Sequence, residues 1–289
     1  MTPFVPTGGE GPLSSNIEDY PEGIVLPIDK PYRWTSADVI RKVKYAAIRH
    51  FHKKNLKVGH AGTLDPLARG VLLVCIGNAT KLAQTLQDHD KEYLAGIMFG
   101  ATTPSYDREK DIDRRFPYEH ITEASVDEVL PSFIGEQEQI APLFSAKSVD
   151  GVRAYEMARR MYKRSAAGAS SEGASSDFDA AALSILHTAK ITIHSLSLES
   201  FEYSAKKETL DPDSSASGRI NVIDTSALDL PVATIRIACS KGTYIRAFAR
   251  DLGEALGSGA FLDSLCRTRT GDFTVEKSLS LDSALSLLG

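Results

Sequence analysis

A glycine-rich stretch from Gly59 to Gly70 carries a single carboxylate, Asp65, and is the segment whose residue types point most directly to chemistry. Its three glycines and Pro66 predict a tight loop in which positive φ or the close approach of a ligand is easy. A carboxylate there can act as a nucleophile, a general base or a metal ligand. An Asx turn or a helix cap is the commoner role of an aspartate before proline, so the spacing alone leaves these alternatives open.

Three other side chains could take part in a site. Arg246 follows a Lys-Gly-Thr turn into a helix, where it could hold a carboxylate bidentately or lie on the surface. Tyr93 alternates with apolar residues on a strand, which favours core packing but also allows stacking on a base. His60 could be a wedge, a phosphate contact or a catalytic base. No Ser/His/Asp or Cys/His constellation can be assembled from the sequence.

The elements that must position these residues indicate an α+β fold. Strands are predicted at 23–29, 71–76, 92–99, 188–193, 196–203, 232–239 and 273–275. Helices are predicted at about 35–49, capped by a Thr-x-x-Asp box, and at 79–86, 125–134, 152–164, 244–256, 261–269 and 281–288. Because strands and helices do not alternate strictly, a doubly wound parallel sheet is disfavoured.

The length and composition predict one large domain with additions. The chain has 289 residues, of which 42% are hydrophobic. Residues 1–22 read as a flexible leader without the features of a secretory signal, and no apolar run is long enough to span a membrane. Three cysteines without metal-ligand spacing indicate reduced thiols, so a cytoplasmic location is expected. The polar stretches 166–179 and 206–229 interrupt the domain, and the former is expected to be flexible.

The charge is distributed unevenly. The net charge is −5, yet no acidic residue occurs between Asp38 and Asp65, where seven lysines and arginines lie. Screening confines a field to about 8–10 Å, so a basic patch on an acidic protein can still bind phosphates. A solvated helix face is the simpler explanation of such a patch.

An ordered set of motifs resembles the TruB-type tRNA pseudouridine synthases. The set comprises Gly59 to Gly70 with the following Val-Leu-Leu-Val-Cys-Ile-Gly-Asn-Ala-Thr-Lys, Lys91-Glu92-Tyr93, 142–147, Lys241 to Arg246, Asp251-Leu252-Gly253 and Leu265-Cys266-Arg267. The motifs occur in the family's order, and the resemblance covers about residues 23–273. It implies a pseudouridine synthase fold, with a mixed, mainly antiparallel sheet flanked by helices and a thumb-like insertion at about 141–187.

The resemblance also implies a reaction and the residues that perform it. Asp65 matches the catalytic aspartate, which attacks a flipped-out uridine 55 in the tRNA T loop, and Arg246 matches its partner. Tyr93 matches a tyrosine that stacks on the uracil, and Leu265 matches an apolar residue that lines the base pocket. His60 matches a histidine that helps to hold the flipped-out nucleotide. Tyr244 lies in the same motif as Arg246 and is assigned with it to substrate binding. No metal or organic cofactor is implied, because the reaction is an isomerisation.

Phosphate grips are expected in the two basic segments, at Arg41, Lys53, Lys54, Lys57, Arg159 and Arg160. Two departures from the family pattern stand out. Arg69 replaces a usual threonine, and residues 276–289 form only a short C-terminal helix, too little for the PUA domain that many members carry. We therefore expect a cytoplasmic, monomeric tRNA pseudouridine synthase that binds the T arm. The rival interpretations are an RNA-binding protein with little catalysis and an enzyme acting on free nucleosides.

Overall fold

A nine-stranded sheet forms the centre of the computed structural model, which describes residues 2–9, 11–142, 148–149, 152–153, 188–203 and 220–289. Seven strands follow in the order β1, β3, β12, β4, β11, β10, β7, while β2 pairs with β3 and β13 with β12. These strands are β1 (Ile24–Lys30), β2 (Val58–Ala61), β3 (Ala68–Ile76), β4 (Lys91–Phe99), β7 (Gly135–Ile140), β10 (Thr188–Tyr203), β11 (Pro231–Cys239), β12 (Ala260–Thr270) and β13 (Phe273–Thr274). Only β3 and β12 run parallel, so the mixed, mainly antiparallel sheet predicted from the sequence is confirmed.

Two small hairpins lie outside this sheet, β5 (Ala101–Thr102) with β6 (Arg114–Arg115) and β8 (Ser148–Val149) with β9 (Val152–Arg153). The described α-helices are α1 (Ser36–His50), α2 (Ala83–Asp88), α3 (Glu123–Val129), α4 (Ile245–Ala255) and α5 (Leu281–Ser286). Short 3-10 turns occupy Ile17–Asp19, Gly77–Leu82, Leu130–Phe133 and Val275–Lys277. The predicted capping box at the start of α1 is present, with Thr35 and Asp38 exchanging bonds.

Apolar side chains on both faces of the sheet are covered. On one face, α4 buries Phe248 and Leu252 against residues of β4, β11 and β12, while α1 and α5 pack over β1 and β3. On the opposite face of β4, β11 and β12, Ile223 and Leu228 help to cover Phe261. Burial raises the pKa of the Cys75 and Cys239 thiols to about 11, which keeps them protonated at neutral pH.

The helix predicted over 261–269 is wrong, because this segment belongs to β12 in the middle of the sheet. Phe261 and Leu262 are both buried but face different apolar clusters, one on each side of the sheet. A strand buried on both faces gives a nearly continuous apolar run, and periodicity cannot separate such a run from a buried helix. The separate strands predicted at 188–193 and 196–203 form one strand with two register shifts.

The N-terminal residues make contacts that the prediction of a flexible leader did not include. Phe4 forms a parallel bridge with Ile24, and Leu13 is buried in the core under α1 and α5. These contacts attach the segment to the edge strand β1.

Several predicted features of the thumb lie largely outside the described residues. These are the insertion 166–179, most of the helix predicted over 152–164, and the residues Arg159 and Arg160. The start of that predicted helix is wrong, since Val152–Arg153 form strand β9. In the part of the chain that the structure describes, no helix has the length and apolar character needed to cross a membrane.

Candidate active site

The loop that carries Asp65 connects β2 to β3 at a point where the sheet changes partners. β2 pairs with Leu73–Ile76 of β3, whereas β12 pairs with Ala68, Arg69 and Gly70 on the same strand. The loop therefore begins at the end of β2 and ends where β3 starts to pair with β12. The buried hydroxyl of Ser36, in the first turn of α1, accepts a bond from Leu64 N (3.0 Å) and donates to Leu64 O (3.1 Å). This pair of bonds anchors the residue directly before Asp65.

Asp65 forms an ion pair with Arg246, the residue that the resemblance gives as its partner. Arg246 Nε lies 2.9 Å from Asp65 Oδ2, with the arginine side chain 6% exposed and the aspartate side chain 38% exposed. Asp107 approaches the same nitrogen from the protein interior, with its Oδ2 3.8 Å from Arg246 Nε. The buried cation thus has one carboxylate open to a ligand and another behind it.

Charges and burial compete in this group. Burial alone would lower the pKa of Arg246, but the carboxylates of Asp65 and Asp107 outweigh it and raise the pKa, which keeps the guanidinium charged. Burial raises the pKa of Asp107, while Arg246 and the hydroxyl of Ser105 oppose that shift. Arg246 Nη1 also donates to the Ser105 carbonyl at 3.3 Å. The arginine is therefore fixed from several directions and aims Asp65 into the pocket.

Helix α4 brings Arg246 to this position because the N-cap residue of the helix is fixed to β7. The buried amide of Gln139 accepts from Tyr244 N (2.8 Å) and donates to Tyr244 O (3.1 Å). Tyr244 is the N-cap of α4, so these bonds set the start of the helix two residues before Arg246. Tyr244 itself is partly exposed.

One pocket collects part of the predicted site. Its lining consists of Asp65, Leu67, Ala68, Asp107, Arg108, Arg246, Leu262, Asp263, Ser264 and Leu265. The structure therefore brings together Asp65, Arg246 and Leu265, which are separated by up to two hundred positions in the chain. Leu265 is held there by its register between Ala68 of β3 and Ala95 of β4. The lining combines apolar side chains with charged ones.

Tyr93 and His60 lie outside that lining. Tyr93 is 8% exposed and packs in the same apolar cluster as Leu265, while its hydroxyl bonds to Arg267. Burial raises the pKa of Tyr93, and Arg267 opposes this. His60 belongs to β2, and burial together with Arg267 lowers its pKa, which favours the neutral imidazole.

Arg267 is a buried residue of the Leu265-Cys266-Arg267 motif, and the sequence alone predicts no role for it. Its guanidinium donates to the carbonyls of Val71 (2.7 Å), Gly62 (3.2 Å) and Thr63 (3.3 Å). It therefore ties β12 to the start of the Asp65 loop and to Tyr93. The cation is satisfied by carbonyls, as burial of an arginine requires.

Lys30 is a second buried cation behind the loop. Its ammonium donates to the carbonyls of Trp34 (2.7 Å), Pro31 (2.9 Å) and Pro66 (3.3 Å). Burial lowers its pKa to about 7, against the opposing attraction of Asp65. The side chain fixes Pro66, the residue after Asp65.

The basic residues predicted to grip RNA are exposed where the structure describes them. Arg41 pairs with Asp38 at 2.9 Å, and Lys53 pairs with Glu18 at 3.2 Å. Lys54 and Lys57 are also exposed. Arg69, the departure from the family pattern, is 59% exposed and pairs with Asp29 at 3.1 Å, on the neighbouring strand β1.

Sequence reasoning missed Ser36, Asp107, Gln139 and Lys30, which support the site without an obvious motif. Ser36, Asp107 and Gln139 are polar residues that contact the site from a distant part of the chain. Lys30 bonds to nearby Pro31 and Trp34 as well as to distant Pro66. Lys30 had the clearest signal, since a lysine at the end of an apolar strand is an unusual residue to bury.

Comparisons with known proteins show which family the chain belongs to. The family model described as TruB family pseudouridylate synthase (N terminal domain) matches residues 49–171. The protein of Phocaeicola vulgatus named tRNA pseudouridine synthase B is 44% identical over 92% of this chain and 93% of its own length. Proteins with the same name in Flavobacterium johnsoniae and Deinococcus radiodurans are 40% and 35% identical, covering 91% and 90% of this chain and 95% and 77% of their own lengths.

Solved structures show the same fold at lower identity. One chain in the crystal structure of a Cbf5–Nop10–Gar1 complex is 22% identical with a TM-score of 0.56, and the match covers 96% of this chain and 59% of that chain. A chain of the archaeal box H/ACA sRNP Nop10–Cbf5 complex is 20% identical with a TM-score of 0.52, covering 92% of this chain and 53% of its own length. This chain therefore spans less than two thirds of those chains.

The fold and the relatives identify the class as the pseudouridine synthases. Within that class, the chain belongs to the TruB family.

Proposed function

We propose that this protein is a tRNA pseudouridine synthase that converts uridine 55 of the T loop to pseudouridine. The observation that carries the proposal is the Asp65–Arg246 pair, with a 2.9 Å contact at the edge of a pocket that also contains Leu265. The names of relatives that are 40–44% identical over most of the chain support the same reaction.

Asp65 acts as the nucleophile on the target nucleotide. The partial exposure of its carboxylate leaves it accessible from the pocket, while the ion pair with Arg246 aims it. In the isomerisation the bond from uracil N1 to C1′ breaks and a bond from C5 to C1′ forms, so the C5 proton has to leave and N1 has to gain one. The bond that Asp65 forms to the nucleotide breaks again before the product leaves, which restores the carboxylate. All atoms of the substrate are conserved, and no cofactor is required.

Tyr93 and Leu265 hold the uracil while it turns, and His60 helps to keep the nucleotide out of its stack. Tyr93 has an aromatic ring beside the pocket wall formed by Leu265, within one apolar cluster. Extruding a base costs a few kcal/mol, and stacking in a pocket together with phosphate contacts offsets that cost. Stacking of the uracil on Tyr93 requires the ring to become accessible, because this residue is 8% exposed.

The partner is the T arm of tRNA, bound by a monomer in the cytoplasm. The exposed residues Arg41, Lys53, Lys54 and Lys57 supply phosphate contacts to the RNA. Arg159, Arg160 and Tyr244 complete the RNA contacts from the thumb and from the start of α4. A large basic surface is superfluous for a free nucleoside, which disfavours that rival.

The test is to incubate the purified protein with an unmodified tRNA transcript and to map pseudouridine at nucleotide resolution. We expect pseudouridine at the T-loop uridine with no added cofactor. A protein that binds the transcript without isomerising it would belong to the RNA-binding alternative. Turnover of uridine monophosphate in preference to tRNA would instead support the nucleoside alternative.

Asp65→Asn provides the first matched variant. It is expected to abolish turnover, because an amide cannot serve as the nucleophile, and to leave the dissociation constant for tRNA within about threefold, since Asp65 contributes no phosphate contact. Filter binding and a single-turnover assay measure the two effects separately. Pseudouridine formation by this variant at a rate near that of the wild type would exclude the nucleophilic role.

A further inference from the structure

The described residues just before β11 contact side chains that line the active-site pocket. These residues, 220–230, are called the return arm here. Ile223 and Leu228 pack against the apolar cluster containing Phe261, and Arg33 Nη2 donates to the Ile220 carbonyl at 2.9 Å. Arg33 N also donates to Pro66 O at 2.9 Å, so the arm is linked to the Asp65 loop through one residue.

The return arm fixes a cation that lines the pocket. Arg108 Nε donates to Ile223 O at 3.0 Å, and Ile223 N donates to Arg108 O at 2.9 Å. The buried hydroxyl of Thr225 donates to Asp263 Oδ1 at 2.7 Å. That same oxygen lies 3.7 Å from Arg108 Nη1, which is beyond a direct hydrogen bond. Thr225 is therefore the closer partner of this carboxylate oxygen, and Arg108 is the more distant one.

Arg108 and Arg246, the two cations that line the pocket, differ in how closely carboxylates approach them. Arg246 is neutralised by Asp65 at 2.9 Å and has Asp107 at 3.8 Å, and its side chain is 6% exposed. Arg108 is 24% exposed, lies 3.7 Å from Asp263 and interacts electrostatically with exposed Asp224 of the return arm. A guanidinium has five N–H donors, and the contacts to Ile223 and Asp263 engage only Nε and Nη1. Donors therefore remain for an anion that enters the pocket mouth.

We propose that Arg108 binds an RNA backbone phosphate next to the flipped nucleotide, and that the return arm holds Arg108 for this purpose. This inference rests on the proposed function, since it takes RNA as the substrate. Arginine suits the task because its planar donors match two phosphate oxygens at once. The alternative is that Arg108 only links the arm to the loop that contains Asp107.

The first experiment compares Arg108→Gln with Arg115→Gln, which removes an exposed arginine of β6 that does not line the pocket. We expect Arg108→Gln to raise the KM for a T-arm stem-loop about tenfold, the loss of one charge-assisted contact, and to lower kcat no more than about twofold. The slope of log K against log salt should fall by about 0.7–0.9 for one lost phosphate contact. A purely structural role predicts lower kcat and stability with an unchanged salt slope.

A methylphosphonate scan identifies the phosphate. Stem-loops with single uncharged linkages around the target uridine are bound to the wild type and to Arg108→Gln. At one linkage next to the target, the wild type should lose about tenfold in affinity while Arg108→Gln loses none further, because its contact is already absent. Equal losses in both proteins at every linkage would overturn the proposal.

Thr225→Val tests the role of the arm. Losing the hydroxyl frees Asp263 to pair directly with Arg108, so RNA affinity should fall in the same direction as in Arg108→Gln, but less. An unchanged affinity would remove the arm from RNA binding. Wild-type turnover of the transcript is the positive control throughout, because its absence contradicts the proposed function and leaves the assignment of Arg108 to be judged by binding alone.

Discussion

At the scale of single residues, the site is organised around buried cations whose partners are oxygen atoms from distant segments. Arg246 is held by Asp65, Asp107 and the Ser105 carbonyl, while Arg267 and Lys30 are held by backbone carbonyls around the Asp65 loop. A buried charge is tolerated only when such partners are present, so each cation also fixes the backbone that satisfies it.

Asp107→Asn tests the inner carboxylate. The substitution keeps the size of the side chain but removes the negative charge behind Arg246, which should draw the guanidinium closer to Asp65 and misplace the nucleophile. We expect kcat to fall on the order of 10- to 100-fold, as a displacement of about 1 Å can cause, with tRNA affinity nearly unchanged. Single-turnover kinetics and filter binding check the two parts. An equal loss in affinity would instead indicate a contact with RNA.

Lys30→Met tests the buried lysine through pH. Its folded pKa of about 7 lies below the unfolded value of 10.5, so the unfolded chain binds more protons between these limits. The free energy of unfolding of the wild type should therefore rise relative to Lys30→Met as the pH increases from 7 to about 9. Below pH 7 the difference should be constant. Urea unfolding of both proteins at each pH measures it, and parallel profiles above pH 7 would contradict the shift.

At the scale of elements, the change of partner along β3 decides where the active-site loop lies. The parallel contact with β12 begins just after the loop, where Gly70 faces Arg267. A Cβ at Gly70 would lie 2.3 Å from the Arg267 carbonyl oxygen, and its φ of 106° is in a region that other residues avoid. The glycine is therefore required by the close packing of β12.

Gly70→Ala should separate β3 from β12 and disturb Asp65. We expect a loss of more than about 3 kcal/mol in the free energy of unfolding, the sum of backbone strain and lost strand contacts. Gly59→Ala is the matched control in the same motif, because a Cβ there meets no atom within 4 Å. Urea unfolding compares the two variants. Similar stability of both would show that β12 adapts to the added methyl group.

At the scale of the whole molecule, a negatively charged protein has a local positive surface. The net charge is −5, but α1 and the segment after it expose basic residues. Glu18 of the N-terminal segment reaches this surface and pairs with Lys53. Surface pairs contribute little to stability, so an incoming phosphate can replace the carboxylate at small cost.

Lys54→Gln with Lys57→Gln should weaken binding of tRNA and reduce its dependence on salt. Two lost phosphate contacts are expected to lower the slope of log K against log salt by about 1.4–1.8. Lys277→Gln, on the exposed 3-10 turn before α5, serves as the control for general charge. Titrations at several salt concentrations provide the slopes. The same slope in the double variant and the wild type would remove these lysines from the RNA surface.

Much of the molecule could be predicted from the sequence because the signals are local. The Thr35 capping box, the apolar run of β3 and the alternation in β4 depend on neighbours within a few positions. The motif containing Asp65 was recognisable for the same reason, and the family assignment drawn from it is confirmed by the relatives.

Only the tertiary structure determined which distant groups meet. An apolar run suits a strand buried on both faces as well as a buried helix, so the position of β12 in the sheet depended on its partners β3 and β4. Arg246 was equally compatible with the surface until Asp65 and Asp107 were found beside it. The sequence determined the chemistry that each segment can offer. The pairing of strands determined which of those groups share one pocket, because burial and charge act through space and not along the chain.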